Sequence, residues 1–437
     1  MLEQPPKYRP VKIGFWSPPF YYGWVIIMVV FIAEFIGSAA SMMGFPLFVQ
    51  PLREEFGWTL TTVVATATFH SMFLMLSAPV LGPLLDRYGG RPLMSLGAVI
   101  VFISLVFTSR VQEIWQLWLF YGVTAGIGIN MLGHLAASVV VPKWFIRRRG
   151  RAMAITTIAN SSGGMVFAPI IGFLIAGVGW RDTWLVLAGV VLVVVPLSII
   201  FMRRTPEDLG LAPDGDLPAN AADGALSRND KSRSAHEETW TLTEALHTRT
   251  LWILVLAMNL LALAAGAPVT LLVPFLVEQQ GMSSEGAAFV WTAALFAATF
   301  SRAMWGLLVE RFNFRFCMAT MFFSRSLGPL ALIVIPFPLN LIVFVVCWGG
   351  IGGSFILFQG LVWANYYGRT FAGSIQGSLR PLISISGFGG PLFIAVLTDI
   401  RGSYDLAFAI ATAMGLVSVI LVLMAKPPTR AGSEAVD

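Results

Sequence analysis

Three arginines, Arg302, Arg325 and Arg380, stand inside long apolar runs of this 437-residue chain. A guanidinium at the middle of a bilayer costs about 2.5–3.5 kcal/mol on insertion scales, so such a residue either meets a ligand or sits in a structural ion pair. The chemistry arginine offers there is anion recognition, through a planar fork of donors matched to a carboxylate. For Arg302 the structural alternative is a pair with Glu34 or another acid. Glu34 itself is the one carboxylate deep in the first half of the chain. It could carry a proton, balance the arginines, or be a hydrogen-bonded structural group. Asn130 and His134 are four residues apart, as are Gln359 and Trp363, which places each pair on one helix face. Each pair could line a cavity, the polar member orienting a ligand and Trp363 closing over it; for His134 ordinary hydrogen-bonded structure is the alternative, and His70 is a weaker candidate. None of these groups makes a hydrolytic or metal centre. The patterns HExxH, GxSxG and GxxxxGK[ST] are absent and no nucleophile stands beside a base, so neither an enzyme, a metal nor a cofactor is expected.

The elements that must position these residues follow from composition. The chain is 57% hydrophobic and 12% charged, against about 25% charged in soluble domains. Apolar runs of roughly 20 residues recur, each long enough to cross a bilayer as a helix. Unpaired backbone groups find no partner in lipid, and strands of a barrel would be short and alternating, so helices are expected throughout. Twelve spans are read, centred near Ile36, Met72, Ile100, Gly128, Gly164, Val191, Ala264, Leu295, the stretch from Arg325 to Ile333, Gly352, Ile385 and Gly415. The net charge of +5 does not indicate a nucleic-acid partner. Lys7, Arg9, Lys12, Arg87, Arg91, Lys143, Arg147, Arg148, Arg149 and Arg151 fall on one side, and only Arg53, Arg110, Arg181 and Arg401 on the other. That asymmetry places both termini in the cytoplasm. The first apolar run is too long for a signal peptide and reads as a retained helix. Cys317 and Cys347 imply no disulfide framework.

The chain also repeats itself. Gly82 to Arg91 reads GPLLDRYGGR and Gly306 to Arg315 reads GLLVERFNFR, 224 residues on. Asp86 matches Glu310, Arg87 matches Arg311 and Arg91 matches Arg315. Lys143-Trp144-Phe145 has a second echo in Asn365-Tyr366-Tyr367. A long-period repeat sets architecture before any single residue does. The polar stretch from about Arg204 to Thr248 reads as a flexible cytoplasmic linker. The expected domains are therefore a six-helix bundle over 1–203, a linker over 204–248 and a second six-helix bundle over 249–437. Asp86 and Arg91 could pair and hold a cytoplasmic gate closed, with Arg87, Glu310, Arg311 and Arg315 as the rest of the gating set. The alternative is that these charges only cap helices and set topology.

On these residues the chain resembles the major facilitator superfamily, whose loop between spans two and three looks like Gly82 to Arg91. Three further features resemble its monocarboxylate and oxalate:formate transporter branch: Tyr22-Gly23-Trp24 opening the first helix, Trp144 to Gly150 bridging the fourth and fifth, and Ser301 to Gly306 in the eighth. The resemblance implies an all-α membrane protein with twelve transmembrane helices in two pseudo-symmetric six-helix bundles, rocking about a central site. It implies that Arg302 binds the substrate carboxylate and that Arg380, near a lysine of the oxalate:formate members, is a second anion-binding cation. It makes the ninth span peripheral, so that Arg325 is expected to be structural or to snorkel. Two positions depart from the branch. Where animal members carry an aspartate one turn before the arginine, this chain has Ala298, and in place of a first-helix lysine the nearest residue is Met42. Both are tied to proton coupling there, so lactate-type proton symport is put in doubt; Glu34 could substitute, or the protein could be an exchanger.

The expected function is secondary active transport of small mono- or dicarboxylates, by symport or antiport, in the inner membrane. The partners would be the small carboxylate, a coupled proton or counter-anion, and the lipid bilayer; a monomer suffices. A proton-coupled drug or metabolite exporter is the nearest rival, because Gly164 to Gly172 partly resembles an antiporter motif. Arg302 and Arg380 would repel cationic drugs. A non-transporting carboxylate sensor is the third reading.

Overall fold

The computed structural model describes residues 19–41, 44–215, 239–401 and 404–428, and it is helical almost throughout, with no strand among the described residues. Lys7, Arg9, Lys12, Met42 and positions 216–238 of the expected linker lie outside them.

Among the described residues, ten helical segments are long and apolar enough to cross a membrane: Gly23–Ala40, Leu60–Tyr88, Gly90–Thr108, Ile114–Trp144, Arg149–Phe201, Arg249–Glu278, Ser284–Arg311, Phe314–Val334, Leu339–Tyr367 and Tyr404–Met424. Arg149–Phe201 runs 53 residues and turns at Gly179 (φ 86°), so it holds both the fifth and sixth spans. The helix Ala372–Arg401 is the eleventh. Twelve spans result, numbered here in chain order, and the short helix Pro46–Phe56 lies between the first two.

Side-chain caps start several of the helices. Thr59, Thr248, Ser283 and Asn313 each accept a backbone N–H from the first turn of the second, seventh, eighth and ninth spans. Each cap satisfies a donor that the helix cannot, which stabilises its start by ~1 kcal/mol.

Backbone contacts divide the chain into two compact units: residues 1–239 with 368–378, and residues 240–367 with 379–437. In the first unit the second and third spans pack on the fourth, and the third on the segment that holds the fifth and sixth. In the second unit the eighth and ninth pack on the tenth, and the ninth on the twelfth. The repeat seen in the sequence therefore recurs as a packing pattern. Large apolar side chains such as Phe173, Phe289 and Phe300 stay exposed, as expected where lipid rather than water surrounds the helices.

The fourth and tenth spans are interrupted at matching places. The fourth widens to a π-helix over Trp118–Ala125 and breaks at Gly133 (φ −95°, ψ −140°). The tenth widens over Val345–Ile351 and tightens to a 3₁₀ turn over Gly352–Ser354. Irregular backbone at membrane depth frees carbonyls that only protein or an aqueous cavity can satisfy, and paired interruptions of this kind point to a binding site.

Candidate functional site

In the second unit, side chains of the eighth and ninth spans donate to carbonyls in the irregular part of the tenth. Ser301 Oγ donates to the Ile351 carbonyl at 3.1 Å and bonds Ser354 Oγ at 2.8 Å. Trp305 Nε1 donates to the same Ile351 carbonyl at 2.7 Å. Ser324 Oγ donates to the Cys347 carbonyl at 2.9 Å. Arg325 donates to the Gly352 carbonyl at 2.9 Å, and its guanidinium lies 4.3 Å above the Trp348 ring. Arg325 is thus turned inward onto the tenth span and does not snorkel. Arg302 is half-buried between the two anchors, one residue after Ser301 and three before Trp305. Ala298 lies one turn earlier, directly against the Gly353 backbone.

The other second-unit candidates are placed as follows. Arg380 is half-buried in the eleventh span. Gln359 is half-buried and Trp363 fully buried on the regular helix Phe355–Tyr367. The Trp363 indole N–H is buried with no acceptor among the described residues. Glu310 is half-buried, Arg311 is exposed at the end of the eighth span, and Arg315 lies 5.3 Å from the Phe316 ring.

In the first unit, Glu34 is buried and accepts from Asn160 Nδ2 at 3.3 Å. Its carboxylate faces the break at Gly133, where the helix His134–Trp144 begins; the positive end of that helix favours a negative charge. The break falls between Asn130 and His134, so the two do not share a face of one regular helix as their spacing suggested. Asn130 turns instead to the second span, donating to the Leu74 carbonyl at 2.7 Å and to Ser77 Oγ at 2.9 Å. That bond has its counterpart 224 residues on, where Ser301 meets Ser354. His70 Nδ1 bonds the Tyr121 carbonyl of the π-helical stretch at 3.2 Å.

The hinge stretch differs from its expected pairing. Asp86 is buried and lies 3.6 Å from Lys143 Nζ, not against Arg91. Its carboxylate also accepts Gly373 N at 3.1 Å, Ser374 N at 2.6 Å and Ser374 Oγ at 2.7 Å. The reason is the turn: Gly89 takes φ 78°, the third span starts at Gly90, and Arg91 emerges exposed while Asp86 stays on the buried face. Arg87 is exposed beside Tyr88. Gly82 is needed for contact, because a Cβ there would collide with the Gly373 carbonyl. Around this cluster is a cavity of ≈ 210 Å³ lined by Asp86, Lys143, Arg204, Thr205, Glu207, Arg369 and Thr370. Arg369 donates to the Lys143 carbonyl at 2.7 Å and to Glu207 at 2.8 Å.

Two structural roles were missed in the sequence. Asp214, in what reads as a linker, is buried and accepts the backbone N–H groups of Ile146, Arg147 and Arg148 at 2.9, 2.8 and 3.1 Å. Only the Asp-Gly dipeptide at 214–215 hinted at an ordered turn. Lys143 counted as one of several topology charges until its burial singled it out. The two motifs at the start of the first span and the end of the fourth pack on each other: Trp24 lies 4.9 Å from Phe145 and Tyr22 5.7 Å from Trp144.

The sequence model of the Major Facilitator Superfamily matches residues 30–391. The chain belongs to the Major Facilitator Superfamily. Monocarboxylate transporter 2 of Rattus norvegicus is 24% identical over 435 residues, covering 96% of this chain and 87% of that protein. Monocarboxylate transporter 12 of Rattus norvegicus is 27% identical over 444 residues, covering 96% and 88%. The crystal structure of the superfamily transporter FucP, in the outward conformation, aligns with a TM-score of 0.72 at 15% identity over 93% of this chain and 100% of that one. The human organic anion transporter MFSD10 aligns with a TM-score of 0.65 at 17% identity, over 92% and 99%. This superfamily member is a multi-pass membrane transporter, not an enzyme.

Proposed function

We propose that this transporter carries small organic anions, mono- or dicarboxylates, across the inner membrane by alternating access, with both termini in the cytoplasm. The observation that carries the reading is the pair of anchors around Arg302: Ser301 and Trp305 hold the broken part of the tenth span against the stretch of the eighth that bears this arginine. A guanidinium at membrane depth beside interrupted helix is the arrangement expected of a carboxylate site. The named activity of relatives matched over most of the chain points the same way. Arg302 clamps one carboxylate and Arg380 supplies a second positive charge, with Gln359, Trp363, Asn130 and His134 as further lining candidates. Glu34, set at the break in the fourth span, carries the coupled proton or balances the arginines. Asp86, with Lys143 and residues 373–374, forms the cytoplasmic gate, and Arg87, Arg91, Glu310, Arg311 and Arg315 complete the gating set. The bonds on Asp86 must be given up in each cycle, so they favour one state only moderately.

The test is uptake into proteoliposomes of labelled lactate, pyruvate, oxalate and succinate, with Arg302→Lys alongside. Lysine keeps the charge and loses the fork, so uptake of the transported acid is expected to fall at least tenfold. Wild-type kinetics in that variant would remove Arg302 from the site. A panel with no transported acid, and a raised melting temperature only with cationic compounds, would overturn the carboxylate reading altogether.

A further inference from the structure

The tenth span of the second unit is irregular over ten residues, from Val345 to Ser354. Four side chains donate to carbonyls of this stretch, two from the eighth span and two from the ninth. Three of them, Ser301, Ser324 and Trp305, are neutral. The fourth is Arg325, and a neutral donor would satisfy the Gly352 carbonyl without bringing a charge into the membrane. A half-buried cation at membrane depth is a functional candidate by default. The Arg325 guanidinium is also fixed on two sides, by its bond to Gly352 at 2.9 Å and by the Trp348 ring 4.3 Å beneath it. Gly352 directly precedes Gly353, whose backbone rests on Ala298, one turn before Arg302.

We infer that Arg325 is a positioning residue of the carboxylate site: it fixes the break in the tenth span against the arginine-bearing stretch of the eighth, so that Arg302 meets its ligand in a set geometry. The inference rests on the reading of Arg302 given above. Arg325 does not touch the substrate; it acts through Gly352 and the packing of Gly353 on Ala298. An error of about an ångström in such a supporting group loosens a site without unfolding the protein. The expected signature is therefore weaker apparent affinity with turnover largely kept.

The experiment measures uptake of whichever panel acid is transported, in proteoliposomes, for wild type, Arg325→Leu, Arg325→Gln, Arg325→Lys and Arg302→Lys, each checked for monodispersity. Arg325→Leu removes the bond to Gly352 and is expected to raise KM about tenfold while kcat changes less than threefold. Arg325→Gln ends two bonds short of the nitrogen that donates to the Gly352 carbonyl, so its KM is expected to rise with that of Arg325→Leu. An unchanged KM in Arg325→Leu, or a fall confined to kcat, overturns the inference. Should the leucine variant fail to fold, Arg325→Lys decides. Its ammonium cannot lie flat on Trp348, so KM is expected to rise at least threefold, and a wild-type KM refutes the positioning role. Arg302→Lys separates the two ideas. Normal transport in that variant sinks the site reading, whereas crippled Arg302→Lys with unaffected Arg325 variants sinks only the positioning role.

Discussion

Replacing Gly353 by alanine asks whether the eighth and tenth spans must touch for the arginine site to form. A Cβ built at 353 would stand 2.5 Å from Ala298 Cα and nearer still to Ala298 Cβ. Carbon atoms in good contact lie ~3.5–4.0 Å apart, so the helices must part by about 1 Å or more. Parting them lengthens the bonds that Ser301 and Trp305 make to the tenth span, now 3.1, 2.8 and 2.7 Å, beyond useful range. Overpacking of this kind costs about 1–3 kcal/mol, and each of the three neutral hydrogen bonds contributes about 0.5–1.5 kcal/mol more, so a total of roughly 2.5–7.5 kcal/mol is expected. The assay is thermal unfolding of the purified protein together with KM for the transported acid. Gly353→Ala is expected to melt lower and to bind more weakly. Ala298→Gly in the same background removes the Cβ clash and leaves the Cα in place, so it should rescue only in part. Gly172→Ala is the control: nothing lies within 4 Å of a Cβ there, and alanine in a helix is expected to be neutral or stabilising by up to ~1 kcal/mol. Wild-type melting and wild-type KM in Gly353→Ala would refute the claim that this contact sets the geometry around Arg302.

Three further outcomes are expected. Asp86→Asn keeps an acceptor for residues 373–374 and loses the charge opposite buried Lys143, so binding should be retained while turnover changes; crosslinking that shows an unchanged balance of inward and outward states would end the gate idea. Asp214→Ala strips three acceptor bonds from the turn at Ile146 to Arg148. Since bonds to charged groups are worth about 1.5–3 kcal/mol each, a clear fall in melting temperature is expected, and none would mean that the turn holds itself. For Glu55, slight burial pushes the carboxyl up, but hydrogen bonds from Arg181 and Trp180 and the Arg181 charge outweigh it and hold the group below its ordinary value. A value depressed on folding adds stability above the unfolded carboxyl's value of ~4.3, and that stability is lost as pH falls through the folded one. Wild type should therefore outlast Glu55→Gln at pH 7 by a small margin that vanishes in acid; a margin that grows as pH falls would reverse the argument.

How much was legible in the chain differs residue by residue. Arg302 could be singled out early because a charge in an apolar run is costly wherever the helix lies. Ser301 and Trp305 carried no such mark, since a serine and a tryptophan are ordinary in a membrane helix. Their importance comes from the Ile351 carbonyl and the Ser354 hydroxyl, some fifty positions away. The spacing of Asn130 and His134 suggested a shared face on the premise of regular helix; the Gly133 break removed that premise. Asp86 was recognised from its repeat, but Arg91, five residues on, is not its partner in space. A turn with positive φ at Gly89 sends the two side chains to different environments.

What the amino-acid order determined by itself is the set of spans, their number and the internal repeat. Hydropathy over about twenty residues is a local property, and the bilayer converts it directly into helices. It also determined that Arg302, Arg325 and Arg380 need an explanation. Only the tertiary structure decided which carbonyls the interrupted helices leave open, which donors close them, and that Lys143 and Ser374 hold Asp86. These are contacts between segments far apart in the chain, set by helix packing to within an ångström, and no local window of residues encodes them.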